Sequence, residues 1–305
     1  MKDFKAHFAL FFVNVLYGAS HVLAKGVMPT YLTPNVFILF RVVGASLLFW
    51  LLYISLGREK VDRKDFGLLA LCGLFGVALN QLFFFHGLNL SSAFNSGIIM
   101  AMNPIMVGIL AFFLLKEIPS MYRVLGILMG ATGAILLTFQ GATQYGDSAL
   151  GDLFLVINAL SYAVYLVIAK PLMGKYKPIT VITWVFSFGL LYVLAFPYTL
   201  IDLSSTQFEQ ISSEAWGKIA YVVVGVTFLT YLLSMYGLKY LSPTVSAAYI
   251  YFQPALVILF AFAFAAMHWA DDYTGTITLE KIAYMLIVFA GVYLSSLKRK
   301  TKNVI

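Results

Sequence analysis

Asn80-Gln81-Leu82-Phe83-Phe84-Phe85-His86-Gly87-Leu88 opens a stretch that closes on Asn103-Pro104. The same pattern returns as Thr230-Tyr231-Leu232-Leu233-Ser234-Met235-Tyr236-Gly237-Leu238, closing on Gln253-Pro254. At a spacing of 150 residues and without a gap, Ser92 falls on Ser242, Ser96 on Ser246, and the amide-Pro pair on the amide-Pro pair. A second match at a spacing of 144 sets Asn14 on Asn158, Leu16 on Leu160, Ala19 on Ala163 and Pro34 on Pro178. The chain is an internal duplication.

The duplicated unit is built for lipid. Of the 305 residues, 61% are hydrophobic and 11% charged, and the mean hydropathy is +0.90, outside the range of a water-soluble domain. Apolar runs at 8–24, 36–56, 66–86, 94–115, 121–139, 150–169, 179–201, 216–237, 244–266 and 281–297 are each long enough to cross the hydrocarbon as a helix. The pattern predicts an all-α membrane protein of ten transmembrane helices, five per repeat. Expected boundaries are 6–140 for the first repeat, 150–297 for the second, and 298–305 for a basic cytoplasmic tail. The first run is kept as a span rather than a cleaved leader, because the sixth carries a diverged copy of it in mid-chain.

Basic residues set the expected orientation. With the N-terminus cytoplasmic, 16 of the 20 lysines and arginines fall on that side, among them Arg58, Lys60, Arg63, Lys64, Lys175, Lys177 and the Lys298–Lys302 tail. Both termini are therefore expected in the cytoplasm of a multi-pass inner (plasma) membrane protein. An odd number of spans per repeat then inverts the second repeat relative to the first. Inverted repeats are the recurring frame of secondary transporters, since exchanging the conformations of two similar halves moves access from one side to the other.

The same placement disposes of the net charge of +7 as a nucleic-acid signal: the cations belong to short loops, where topology and lipid headgroups use them. The lone cysteine, Cys72, allows no internal disulfide and reads as a small core residue. The loops are too short for an extra-membrane domain. Gly126, Gly130 and Gly133 recur at helical spacing in the fifth span, as where two helix backbones approach closely. No His-Glu metal motif, Gly-x-Ser-x-Gly elbow or pair of mid-span carboxylates is present, so neither a catalytic residue, a cofactor nor a metal is expected.

Polar side chains inside spans mark the expected cavity, because they are costly against lipid. Asn14, Tyr17 and His21 share one face of the first span, and Asn158, Tyr162 and Tyr165 repeat it in the sixth. Asn95, Met102 and Asn103 trace a face of the fourth span, with Tyr249 and Gln253 as the counterpart in the ninth. Lys25, Arg41 and Lys170 are candidate gate residues or anion contacts, with an anchoring role as the alternative. His21 is the one mid-span group able to titrate near neutrality, and His86 reads as an ordinary surface residue.

The arrangement resembles the EamA-like transporters of the drug/metabolite transporter superfamily. The residues that carry the likeness are Tyr17-Gly18-Ala19-Ser20 with Lys25, then Pro34, Arg41 and the run Ala45 to Leu52. Gly87-Leu88, Asn103-Pro104, Lys116-Glu117, the glycine-rich fifth span and Gly151-Asp152 follow, so the likeness covers residues 6–297. Two positions depart from the family pattern: Tyr17 stands where tryptophan is common, and Met267 where an acidic partner to Glu117 is usual. The resemblance implies a ten-helix carrier of two inverted repeats and leans towards export. The residues themselves leave three readings: a carrier of a small amphipathic metabolite such as an amino acid, an antiporter of phosphorylated or nucleotide-linked solutes, and a non-transporting scaffold or intramembrane enzyme.

Overall fold

The computed structural model describes residues 2–23, 31–90, 99–141, 148–253, 255–256, 259–260, 263 and 279–297. Among them no strand occurs, and the main helices follow one another in the expected order. They are α1 (Lys2–Leu23), α2 (Pro34–Ser55), α3 (Arg63–Leu90), α4 (Ile99–Leu115), α5 (Met121–Gly141), α6 (Ala149–Lys175), α7 (Pro178–Ala195), α8 (Ser213–Tyr240), α9 (opening with Pro243–Ala248) and α10 (Leu279–Ser296). A short helix, Pro197–Ser205, links α7 to α8.

Local chemistry fixes the ends. The side chains of Thr33, Ser148, Ser212 and Ser242 each accept a hydrogen bond from the backbone N–H three residues on, opening α2, α6, α8 and α9. Pro34, Pro178 and Pro243 stand at the first turn, where no N–H is needed. Lys116 closes α4 in the left-handed conformation, at φ 55°, and Pro104 sits at the first turn of Asn103–Leu115, just past a tight turn at Met102.

Helices α2, α3, α6, α7 and α8 are long and apolar enough to cross a bilayer, and α4, α5 and α10 contain shorter apolar stretches. Their outer faces are apolar as well: Leu51 is 66% exposed, Leu191 61% and Phe113 71%. Water would penalise such a surface, whereas lipid accepts it.

Packing repeats with the sequence. Helix α6 runs antiparallel along α3, with Ser161 against Phe75, Asn158 against Asn80 and Leu155 against Gly87. Helix α1 runs antiparallel along α8 in the same way, with Tyr17 at Thr230 and Leu10 against Gly237. The repeated glycines thus serve the same close approach in both halves, since a Cβ on Gly87 would meet Leu155 at 2.9 Å, and one on Gly237 would meet Leu10 at 2.5 Å. Crossing α2 over α8 places Val223 on Gly44, and crossing α7 over α3 places Val77 on Gly189. Helices α5 and α10 close the bundle along a glycine seam, where a Cβ on Gly126 would fall on the Gly291 and Ser295 backbone, and one on Gly133 would lie 2.8 Å from Val288.

Candidate functional site

Helices α3 and α8 each lose α-helical register at their middles. Leu74–Ala78 and Val222–Leu229 are π-helical, at corresponding places in the two repeats. A π segment leaves main-chain carbonyls without their usual partner and often marks a functional position. In α3 side chains of the other repeat reach this stretch and the turn after it. Ser161 donates to the Phe75 carbonyl at 2.6 Å, Asn158 to the Asn80 carbonyl at 2.7 Å, and the Tyr231 hydroxyl to the Gly76 carbonyl at 3.1 Å, with Asn80 Oδ1 at 3.4 Å. In the second π segment Thr227 donates to the Val222 carbonyl five residues back, at 2.9 Å, and Thr230 to that of Val226 at 2.6 Å.

Those side chains surround a closed, polar and aromatic centre. Arg41 reaches it from α2 and is 7% exposed; its Nε donates to Thr227 Oγ1 at 3.0 Å. The guanidinium carbon lies 4.8 Å from the Phe85 ring centre and 5.8 Å from that of Phe37, within the range of cation–π attraction. Tyr17 and Thr230 bring their oxygens to 3.2 Å, and Tyr165 donates to Met235 Sδ at 3.1 Å while its ring covers Gly76. Gln81 is 2% exposed and lies beside the Tyr231 phenol, without a hydrogen bond of good geometry on either Nε2 or Oε1.

Polar contacts between the repeats lie towards each end of the bundle. At the end that holds the start of α1 and the close of α10, Asp65 meets Lys175 Nζ at 2.8 Å and accepts from Tyr176 at 2.7 Å. That carboxylate holds the Tyr176 phenol above the usual tyrosine range. Glu59 accepts from Lys177 N at 2.9 Å and from Thr180 at 2.6 Å. At the opposite end, Asp202 Oδ2 accepts from Thr33 at 2.9 Å and from Asn35 at 2.8 Å, and Asn35 Oδ1 lies 2.8 Å from His86 Nε2.

The residues singled out in the sequence divide accordingly. Tyr17, Arg41, Tyr162 and Tyr165 gather at the centre, and Asn158 bridges to α3 beside it. Asn103 donates to the Ala159 carbonyl at 2.8 Å, leaving its Oδ1 unpartnered. Asn14 turns back on its own helix, donating to the Leu10 carbonyl at 2.8 Å. Tyr249 pairs with His7 at 2.6 Å, away from the π segments, and Gln253 lies one turn beyond it. Two further candidates stand apart from the centre. Met102 is 42% exposed at the tight turn before Pro104. The Lys170 ammonium donates to the carbonyls of Leu238 and Leu241, each at 2.6 Å, and of Lys239 at 3.3 Å, capping the end of α8 in the manner of an anchor. The side chains of His21, Lys25 and Asn95 lie outside the described residues, as do Met267 and the tail 298–305.

Gln81, Thr227, Thr230 and Tyr231 are central without having been singled out. The signal was the opening stretch itself, where Asn80-Gln81 falls on Thr230-Tyr231. His86, read as an ordinary surface residue, is held by Asn35 in the contacts around Asp202.

The sequence profile of the EamA-like transporter family matches the chain twice, at residues 4–139 and 149–297. The chain belongs to that family. Among the relatives of this EamA-like chain is the uncharacterized transporter YetK of Bacillus subtilis, 24% identical, with 98% of this chain and 89% of that protein covered. The WAT1-related protein At4g30420 of Arabidopsis thaliana is 22% identical, over 88% of this chain and 80% of its own length. A solved crystal structure superimposes with a TM-score of 0.71 at 16% identity, covering 94% of this chain and 95% of that one, a likeness of fold. The EamA-like chain is a multi-pass membrane protein of the transporter class.

Proposed function

We propose that the chain is a secondary carrier that moves a small organic metabolite, an amino acid or a related amphipathic solute, by alternating access and in the direction of export. The reading rests on one observation: a buried polar centre lies between the two repeats, with separate inter-repeat contacts towards either end. Rocking one repeat against the other would part the Asp65 contacts while the Asp202 contacts hold, or the reverse, exposing the centre to one side at a time. The hydroxyls, the Gln81 amide and the aromatic walls suit a solute with one polar and one apolar end.

Counterflow in proteoliposomes tests the reading, with amino acids, nucleosides and sugar phosphates as cargo and the melting temperature recorded on the same preparation. Accumulation of a labelled solute against unlabelled solute inside is the expected result. A well-folded preparation that exchanges none of them would favour the scaffold reading. We place both termini in the cytoplasm of the inner (plasma) membrane. A cysteine replacing Ser205 should then react with an impermeant thiol reagent in intact cells, and one replacing Lys60 should not. Labelling at 60 alone would reverse the orientation.

A further inference from the structure

Arg41 is the only charged side chain buried at the bundle centre among the described residues, and its surroundings account for only part of it. Nε has Thr227; the two terminal nitrogens have no hydrogen-bond partner, and no carboxylate is paired with the guanidinium. A buried cation without a counter-ion is costly in a bundle core and is kept where it has work to do. Gln81 adds a second cost, a buried primary amide beside the Tyr231 phenol with no hydrogen bond of good geometry.

The two groups share one place. Phe85, whose ring carries the guanidinium, follows Gln81 by one turn on α3, and Tyr231 follows Thr227, which holds Nε, by one turn on α8. Arg41 therefore lies between the pairs Phe85/Gln81 and Thr227/Tyr231, and Tyr231 is tied to α3 beside Gln81 through Gly76 and Asn80. We infer that Arg41 is a cargo-binding residue: its free edge takes a carboxylate of the solute in a bidentate pair, and Gln81 hydrogen-bonds the same end of the solute. Deepening the carrier reading and resting on it, this assigns the cargo a monocarboxylate group. The charge decides against a phosphate monoester, which carries ~1.5–2 negative charges at neutral pH. One guanidinium neutralises one of them, and the remainder would sit in an aromatic shell with no second cation among the described residues. A carboxylate matches the fork in both charge and geometry.

Melting temperatures of the purified full chain test the inference independently of transport. The probes are acetate, butyrate and 3-phenylpropionate, their neutral amides, and phenyl phosphate; the variants are Arg41→Met, Arg41→Lys and Gln81→Leu. At least one carboxylate should stabilise the wild type while its amide and phenyl phosphate do not. Arg41→Met, relieved of an unpaired charge, should melt at or above the wild-type temperature and lose the response. Arg41→Lys and Gln81→Leu should weaken carboxylate binding by about tenfold. Three outcomes overturn the inference: equal responses to acid and amide, a response to phenyl phosphate alone, or a wild type indifferent to the whole carboxylate series. Arg41→Met melting well below wild type, with Arg41→Lys restoring it, would instead make the arginine a structural cation. Counterflow of a neutral solute undiminished in Arg41→Met would sink this inference and leave the carrier intact, whereas absence of all exchange would count against the carrier itself.

Discussion

The two repeats agree in how they pack and differ in what they present. Gly87 and Gly237 each receive a leucine of the partner helix, Gly44 and Gly189 each receive a valine of a π segment, and both π segments lie at the same depth of their helices. Chemistry is divided unequally across the same frame. Asn80-Gln81 in one repeat stands opposite Thr230-Tyr231 in the other, and Arg41 has Val185 as its counterpart at a spacing of 144. Duplication therefore supplied a two-fold scaffold, and a binding surface needs only one copy of each polar group. Identity is kept at Gly87 and Gly237, where helices touch, and lost at Gln81 and Tyr231 beside the centre.

The comparison breaks most sharply at the glycines of the π segments. A Cβ on Gly76 would press on the Tyr165 ring at 2.5 Å, inside a wall with no room to give, whereas on Gly225 it would meet only the Tyr221 ring of its own helix at 3.3 Å. Gly76→Leu should cost at least the roughly 1–3 kcal/mol typical of overpacking and lower the melting temperature clearly. Gly225→Ala should stay within about 1 kcal/mol of the parent, since helix propensity offsets the small shift required. Thermal denaturation in detergent reads both; similar melting temperatures would mean that the α3 wall is softer than its contacts imply.

A smaller effect separates the paired positions 81 and 231. Tyr231→Phe strips the donor from a π-segment carbonyl and should cost roughly 1–3 kcal/mol. Gln81→Leu removes an amide that makes no hydrogen bond of good geometry, so its melting temperature should fall less than that of Tyr231→Phe while exchange weakens. Loss of stability in both variants to the same degree would show that Gln81 is held in place by its packing and is not reserved for cargo.

How far the sequence was legible follows the same division. Ten spans, the duplication and the inversion are written in apolar run lengths and charge placement, because lipid admits few alternatives. The glycine seam of α5 is legible for a similar reason: small residues at helical spacing have one common use between helices. The centre is only half legible. Tyr17, Asn158 and Tyr165 stand out as polar or hydroxylated positions in otherwise apolar helices, yet Asn14 has the same signature and spends it on its own backbone. Gln81 and Tyr231 were visible only as members of a repeat. The π segments are not legible at all: one takes partners from the other half, such as Ser161 on the Phe75 carbonyl, and the other bonds to threonines of its own helix. Which of its two roles Lys170 takes is not legible either, because the carbonyls it caps lie about seventy positions away in the chain.

The finest distinction is between the two ends. One uses a charged pair: Asp65, with its carboxylate nearly buried, meets Lys175, whose side chain is 49% exposed. The other uses Asp202 with the neutral donors Thr33 and Asn35. A half-exposed ion pair contributes ~0–1 kcal/mol, and the Asp202 contacts are of the ordinary hydrogen-bond kind, so neither Lys175→Met nor Asp202→Asn should change the melting temperature much. Their effect belongs to the balance between the two open forms, where a bias of about 1 kcal/mol changes a population ratio by roughly fivefold. Thr230→Cys, at a position fully buried at the centre, reports that ratio through its rate of reaction with an impermeant thiol reagent added outside cells. With both termini cytoplasmic, Asp202→Asn should raise the rate by up to about fivefold and Lys175→Met should lower it by a similar factor. Equal shifts in the same direction would mean that the two ends open together, and the separate control of access that alternating exchange requires would be lost.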